Sequence, residues 1–149
     1  MKLLFIIISL FFIQNNCHNI QDVRRDFHTI NSKEKLNTFI ENYTNSECEL
    51  TIPYVASAIM QSAKYSFWPP KKLKHFNKGK KILESFILSN PENTEARYLR
   101  ILVQSEVPDF LGYNKEINTD IKFVKLKIGG SDLPKIYQNL ILKNIAPIK

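Results

Sequence analysis

His18, His28 and His75 are the chain's three histidines. None has a second His or Cys at the i+4 spacing that sets two metal ligands on one helix face, so the sequence assigns no metal site. Its carboxylates are scattered. Asp22 and Asp26 stand four apart beside Arg24 and Arg25, a spacing that predicts a solvated charged helix face. Glu47 and Glu49 flank Cys48. A pair of acids for glycoside hydrolysis meets in space rather than in sequence, and no motif here points to one. The chain has no G-x-S-x-G, no S-x-x-K and no local Cys–His signature for a nucleophile. With 4 glycines and no P-loop it has little material for a phosphate cradle. The sequence therefore names no catalytic residue and implies no cofactor.

Binding chemistry has better candidates. In "EARYLR", Arg97 and Arg100 are i,i+3 neighbours that could grip an anion together. The competing expectation is that they pair with local acids or with another helix. In "YSFWPPKKLKHFNKGKK" (residues 65–81), six lysines follow an aromatic corner. On a helical wheel Lys71, Lys74, Lys78 and Lys81 share one ridge, with Lys72 and Lys80 on its flanks. Leu73, Phe76, Gly79 and Leu83 fall on the other side. Trp68 before this helix, and Phe110 and Tyr113 in "PDFLGYN", are aromatics that would anchor a partner if exposed. If buried, they would fill the joints between helices. That filling role is the expectation for Tyr65–Pro70 and for the 108–114 corner.

The 149-residue chain carries 21 Lys+Arg against 14 Asp+Glu. Met1-Lys2 and the almost wholly apolar run Leu3–Ile13 read as a secretory signal peptide, too short for a membrane span of roughly 20 residues. Residues 1–17 are assigned to that signal and 18–146 to one domain without a transmembrane helix. Cys17 sits where a lipoprotein carries its acylated cysteine, although Asn16 fits a lipobox poorly. Its alternatives are removal with the signal or a bridge to Cys48 in an oxidising compartment. Losing residues 1–17 leaves a net charge of +6, equal to the number of lysines between Lys71 and Lys81. The basicity is thus concentrated in one segment. Export and the lack of arginine in that segment argue against nucleic acid.

The elements that would position these residues are helical. Ile20, Val23, Phe27 and Ile30 step by three and four, and Ser32 can cap a second helix with Leu36, Phe39, Ile40 and Tyr43 inward. A third starts near Thr51 with Pro53 in its first turn, its stripe being Ile52, Val55, Ala56, Ile59, Met60 and Ala63. Trp68-Pro69-Pro70 breaks the chain before a fourth helix that runs to about Ser89. Asn93 or Thr94 caps a fifth. Ile117, Ile121, Val124 and Ile128 mark a sixth, which Gly129-Gly130 would end through a positive φ. Ser131-Asp132 would open a seventh with Leu133, Ile136, Leu140 and Ile141 inward. "VKLKIGG" also alternates like a strand, but it has no second strand to pair with. The expected fold is all-α: about seven helices in stacked antiparallel hairpins, the last one capping.

Gly79–Arg100, "GKKILESFILSNPENTEARYLR", resembles part of a tetratricopeptide repeat. Gly79 takes the small-residue position, Leu83 and Phe86 take packing positions, Pro91 closes the unit, and "PENTEA" is similar to the inter-repeat turn. Phe86 is larger than the family's usual Ala, Arg97 replaces an aromatic, and no complete 34-residue unit fits. More broadly, the signal followed by "AKYSFWPPKKLKHFNKGKKILES" and "FLGYN" resembles small exported proteins of Bacteroidota. That likeness implies a helical domain and carries over no catalytic residue. The expected function is a non-enzymatic binding or scaffold domain, periplasmic, secreted or lipid-anchored, for a protein or an anionic envelope component. The alternatives are a small envelope hydrolase and electrostatic attachment through residues 71–81.

Overall fold

A computed structural model describes Cys17 and residues 19–148, and the signal-peptide expectation, Cys17 apart, lies outside these residues. Seven α-helices follow in order: α1 (Ile20–His28), α2 (Lys33–Tyr43), α3 (Ile52–Gln61), α4 (Pro69–Ser89), α5 (Thr94–Glu106), α6 (Ile117–Lys127) and α7 (Lys135–Ile145). No strand forms among the described residues. The alternating "VKLKIGG" is the end of α6 and a 3-10 turn at Ile128–Gly130.

Caps predicted from the sequence are made. Ser32 Oγ accepts the Lys35 N–H at 3.2 Å, and Asn93 Oδ1 accepts that of Ala96 at 2.8 Å. Two helix boundaries differ from expectation. Gly129 and Gly130 do not adopt positive φ, and the single glycine that does is Gly112 (φ 62°), which turns the chain between α5 and α6. Helix α7 begins only after Pro134, whose carbonyl accepts the N–H of Tyr137 and of Gln138. Tyr137, Gln138, Ile141 and Ile145 face inward, as expected for Ile141, whereas Ile136 is exposed against expectation.

Helix α3 is the axis of the molecule. Every residue from Pro53 to Met60 is buried because α3 has neighbours on all sides, whereas Ile52 and Ala63 at the two ends of the expected stripe are exposed and half-buried. Tyr54, Val55, Ala58 and Ile59 join Tyr98, Leu99 and Ile101 of α5 in a core closed by α1, α2, α6 and α7. Ala56 and Met60 join Ala96 and Val103 of α5 in a second core, closed by Phe76, Leu83, Phe86 and Ile87 of α4 and by Tyr113. Helices α3 and α5 are thus the wall between two cores, and Ser57, Thr94, Glu95, Arg100 and Gln104 on them are buried. Helix α4 lies close on α3 at Gly79. A Cβ there would stand less than 3.0 Å from the Ala56 carbonyl oxygen and from Met60. Only glycine lets α4 lie this close on α3.

Cys17 and Cys48 form a disulfide across 31 residues. A sulfur in this bond carries no thioether lipid, so bridge and lipid exclude each other, and the structure carries the bridge. Cys17 is thereby part of the folded unit rather than of the segment before it. At the other end Ile148 packs on the first core, two residues past the expected boundary.

Candidate functional site

Three groups of chemistry-bearing side chains stand out, two inside the fold and one outside. The first lies where α1, α3, α5 and α7 meet. Glu95 accepts two N–H bonds from Arg24, from Nε at 2.6 Å and from Nη2 at 2.9 Å. The Tyr54 hydroxyl donates to the same carboxylate. With its proton spent on Glu95, Tyr54 accepts from the Tyr137 hydroxyl. Tyr137 in turn accepts from His28 Nε2 at 3.2 Å, which sets the Nε2–H tautomer of a neutral ring. Burial lowers the His28 pKa, against a smaller opposing pull from Glu95, and so keeps the ring neutral. Burial first, then the Glu95 charge, holds the Tyr54 pKa well above its ordinary value. The Arg24 guanidinium lies 5.0 Å from the Tyr137 ring centre. The donors His28, Tyr137 and Tyr54 thus run in one direction and end on a carboxylate whose charge Arg24 balances. Arg24 is 6% and Glu95 4% exposed, so the terminus of this chain does not face solvent.

This network escaped the sequence reading. The spacing puts Arg24 on a solvated face with Asp22, Arg25 and Asp26. The structure leaves that face to Arg25, which bonds Asp22 at 2.7 Å, and turns Arg24 inward. A signal was present. Arg24 and His28 stand i,i+4 beside core Phe27, and Tyr54 brings a hydroxyl into the mostly apolar "IPYVASAIM".

The second group joins α4, α5 and α6. Asp120 is fully buried and takes a bidentate grip from Arg100, from Nε at 2.6 Å and Nη2 at 2.9 Å. Arg100 Nη1 also reaches Glu84 at 2.7 Å, and the Tyr113 hydroxyl donates to Glu84. Arg97 bonds Asp120 and the Pro91 carbonyl, each at 2.9 Å, and stacks on Phe123. Of the two expectations for Arg97 and Arg100, the structure shows the pairing with local acids and not an anion grip. Their guanidinium groups are engaged by the protein's own carboxylates, in a cluster of two positive and two negative charges that locks α4, α5 and α6 together.

The third group is the opposite case. Phe67 is 100% and Trp68 65% exposed, Tyr65 and Leu73 are also exposed, and so are Pro69 and Pro70. The aromatics do not fill the joint between α3 and α4, and that expectation is overturned. The reason lies in the backbone. Ser62–Tyr65 tightens into a 3-10 turn and Trp68 is extended (φ −82°, ψ 121°) at the start of α4, which throws residues 66–68 outward. Lys71, Lys72, Lys74, Lys78 and Lys81 follow, all exposed and none in an ion pair among the described residues. Lys80 alone is drawn in, its Nζ 4.7 Å from the Tyr113 ring centre. His75 reports the local field: partial burial, then Lys71, Lys74 and Lys78, lower its pKa.

The 108–114 corner divides. Tyr113 is buried against Phe76 as a plug, whereas Phe110 is 85% exposed. Beside it, a shallow groove runs between the end of α5, the Asp109–Asn114 loop and Pro147–Ile148. Gln104 lines it, donating Nε2–H to Glu116 at 3.2 Å while its buried Oε1 has no donor among the described residues. Among the described residues no three His, Cys, Asp or Glu side chains gather as metal ligands. No described helix is long and apolar enough to cross a membrane.

Comparison with protein-family profiles, curated proteins and solved structures gave no match to this chain. The all-helical fold and the geometry above are therefore the ground for a functional reading.

Proposed function

We propose that this protein is an exported, non-enzymatic binding module that attaches through the Tyr65–Lys81 end of α4 to an anionic component of the cell envelope. One observation carries the reading: exposed Phe67 and Trp68 run directly into five exposed lysines with no acid before Glu84. Glu95 and Asp120 are buried and bonded to arginines. A hydrolytic role for Glu95 or Asp120 would need a carboxylate freed from its arginine. Export is supported by the signal-like residues 1–13 and by the Cys17–Cys48 bridge, since disulfides persist in oxidising compartments. A repeat-like stack is supported by the close packing of α3 on α4 at Gly79 and of α5 on α6. In this reading the two cores are a rigid mount for the exposed end of α4.

The test is sedimentation with a washed cell-envelope fraction. Wild-type protein is expected in the pellet, and the variant Lys71→Glu/Lys74→Glu/Lys78→Glu/Lys81→Glu in the supernatant, with unchanged helical circular dichroism. Equal sedimentation of both proteins would overturn the proposal.

A further inference from the structure

The chemistry of the exposed end narrows the kind of surface it meets. Its apolar part is convex: Phe67 is fully exposed and Trp68 largely so, on extended backbone ahead of a helix. Projecting aromatics need a partner that yields or offers a pocket. The charged part is broad. Lys71, Lys74, Lys78 and Lys81 span an arc of about 80° along three turns, at 100° per residue. Lys72 flanks them near the tip. Half-exposed Leu73 lies on the other side of the helix from the lysine ridge. The next acid in sequence, Glu84, is engaged by Arg100 and Tyr113. Rings with a polar edge rest at the headgroup level of a bilayer, and lysine stems lie along apolar surface while their ammonium groups reach phosphate. A wedge of two aromatics followed by a flat spread of ammonium groups fits a deformable anionic sheet.

We infer that the anionic component is the lipid bilayer itself: Phe67 and Trp68 enter the headgroup–acyl boundary while Lys71, Lys72, Lys74, Lys78 and Lys81 lie among anionic headgroups. This rests on the binding role assigned above to the same segment. Contact is peripheral, because no described helix can cross the bilayer. The two signals are interdependent. A pair of aromatics gives weak partition alone, and the lysines add about fivefold in affinity each near an anionic surface. Attachment is therefore reversible and weakens as salt screens the charges.

Trp68 is the chain's single tryptophan and reads the contact directly. Full-length mature protein is mixed with phosphatidylglycerol–phosphatidylcholine vesicles and, separately, with pure phosphatidylcholine vesicles. The expected result is a blue shift of Trp68 emission, with shielding from an aqueous quencher, on the anionic vesicles only. Phe67→Ser should weaken binding, and Lys74→Gln/Lys78→Gln should weaken it by about 25-fold, from about fivefold per lysine. High salt should release the protein. Unchanged Trp68 emission with anionic vesicles would overturn the lipid assignment. So would binding that survives charge reversal at the four ridge lysines, or that ignores salt. If the lipid assignment fails while lysine-dependent sedimentation with the envelope holds, the partner is a non-lipid anion, a protein or a polysaccharide. If sedimentation is also independent of the lysines, the binding role of the segment fails too.

Discussion

The two arginine–carboxylate clusters and the first half of α4 are both rich in charge, and they are built on opposite terms. In the clusters each positive group was taken out of water and met a carboxylate: Arg24 on Glu95, and Arg97 and Arg100 on Asp120 and Glu84. Such pairing offsets the cost of desolvation, and its specificity comes from bidentate geometry. At the start of α4 five lysines stay in water without a partner, beside aromatics that also stay in water. Retaining unpaired like charges and exposed rings gives the fold nothing. The difference separates residues that hold the structure from residues free to bind something else.

The comparison can be broken from either side, and the interior gives the larger effects. Glu95→Gln leaves Arg24 buried with its charge unbalanced and should cost about 3–5 kcal/mol, read as a lower urea midpoint. A loss under 1 kcal/mol would mean that water reaches the cluster. Gly79→Ala tests the wall between the cores. Helix propensity alone predicts a gain of about 1 kcal/mol, but the new methyl meets the Ala56 carbonyl and Met60. A net loss of about 1–3 kcal/mol is expected in thermal unfolding. A gain would show that α4 can ride off α3.

A smaller effect comes from His28. Its folded pKa lies below the ordinary 6.5, chiefly through burial, so the unfolded chain binds the proton more tightly. Stability is then full above about pH 6.5 and falls as pH drops toward the folded value. His28→Gln should flatten that slope in melts between pH 7 and pH 5. His75 is also lowered, and its slope should be the lesser one because it is the more exposed ring. The smallest change in stability is expected where binding is most affected. Each Lys→Glu change at residues 71, 74, 78 and 81 should alter stability by less than about 0.5 kcal/mol. A collapse of the fold in the fourfold variant would place the ridge with the interior clusters.

Much of the site was legible as composition but not as orientation. The lysine ridge follows from helical spacing, and α4 runs as predicted from Trp68-Pro69-Pro70 to Asn90. The behaviour of the aromatics did not follow. "YSFW" reads as filler for a joint, and only the 3-10 turn at Ser62–Tyr65 and the extended Trp68 turn it outward. The reverse happened to Arg24, Glu95 and Asp120. Charged residues on an amphipathic helix read as solvent-facing until two further helices cover them.

The sequence by itself determined the helical elements, their caps at Ser32 and Asn93, and a charge excess concentrated in one helix. These depend on spacing and on residues within a turn of one another. Only the tertiary structure decided which charges meet and which stay free. Glu95 finds Arg24 across 71 residues, and Asp120 finds Arg100 across 20. Such partners are chosen by how α3 and α5 are sandwiched between two cores, a property of packing that no local pattern encodes.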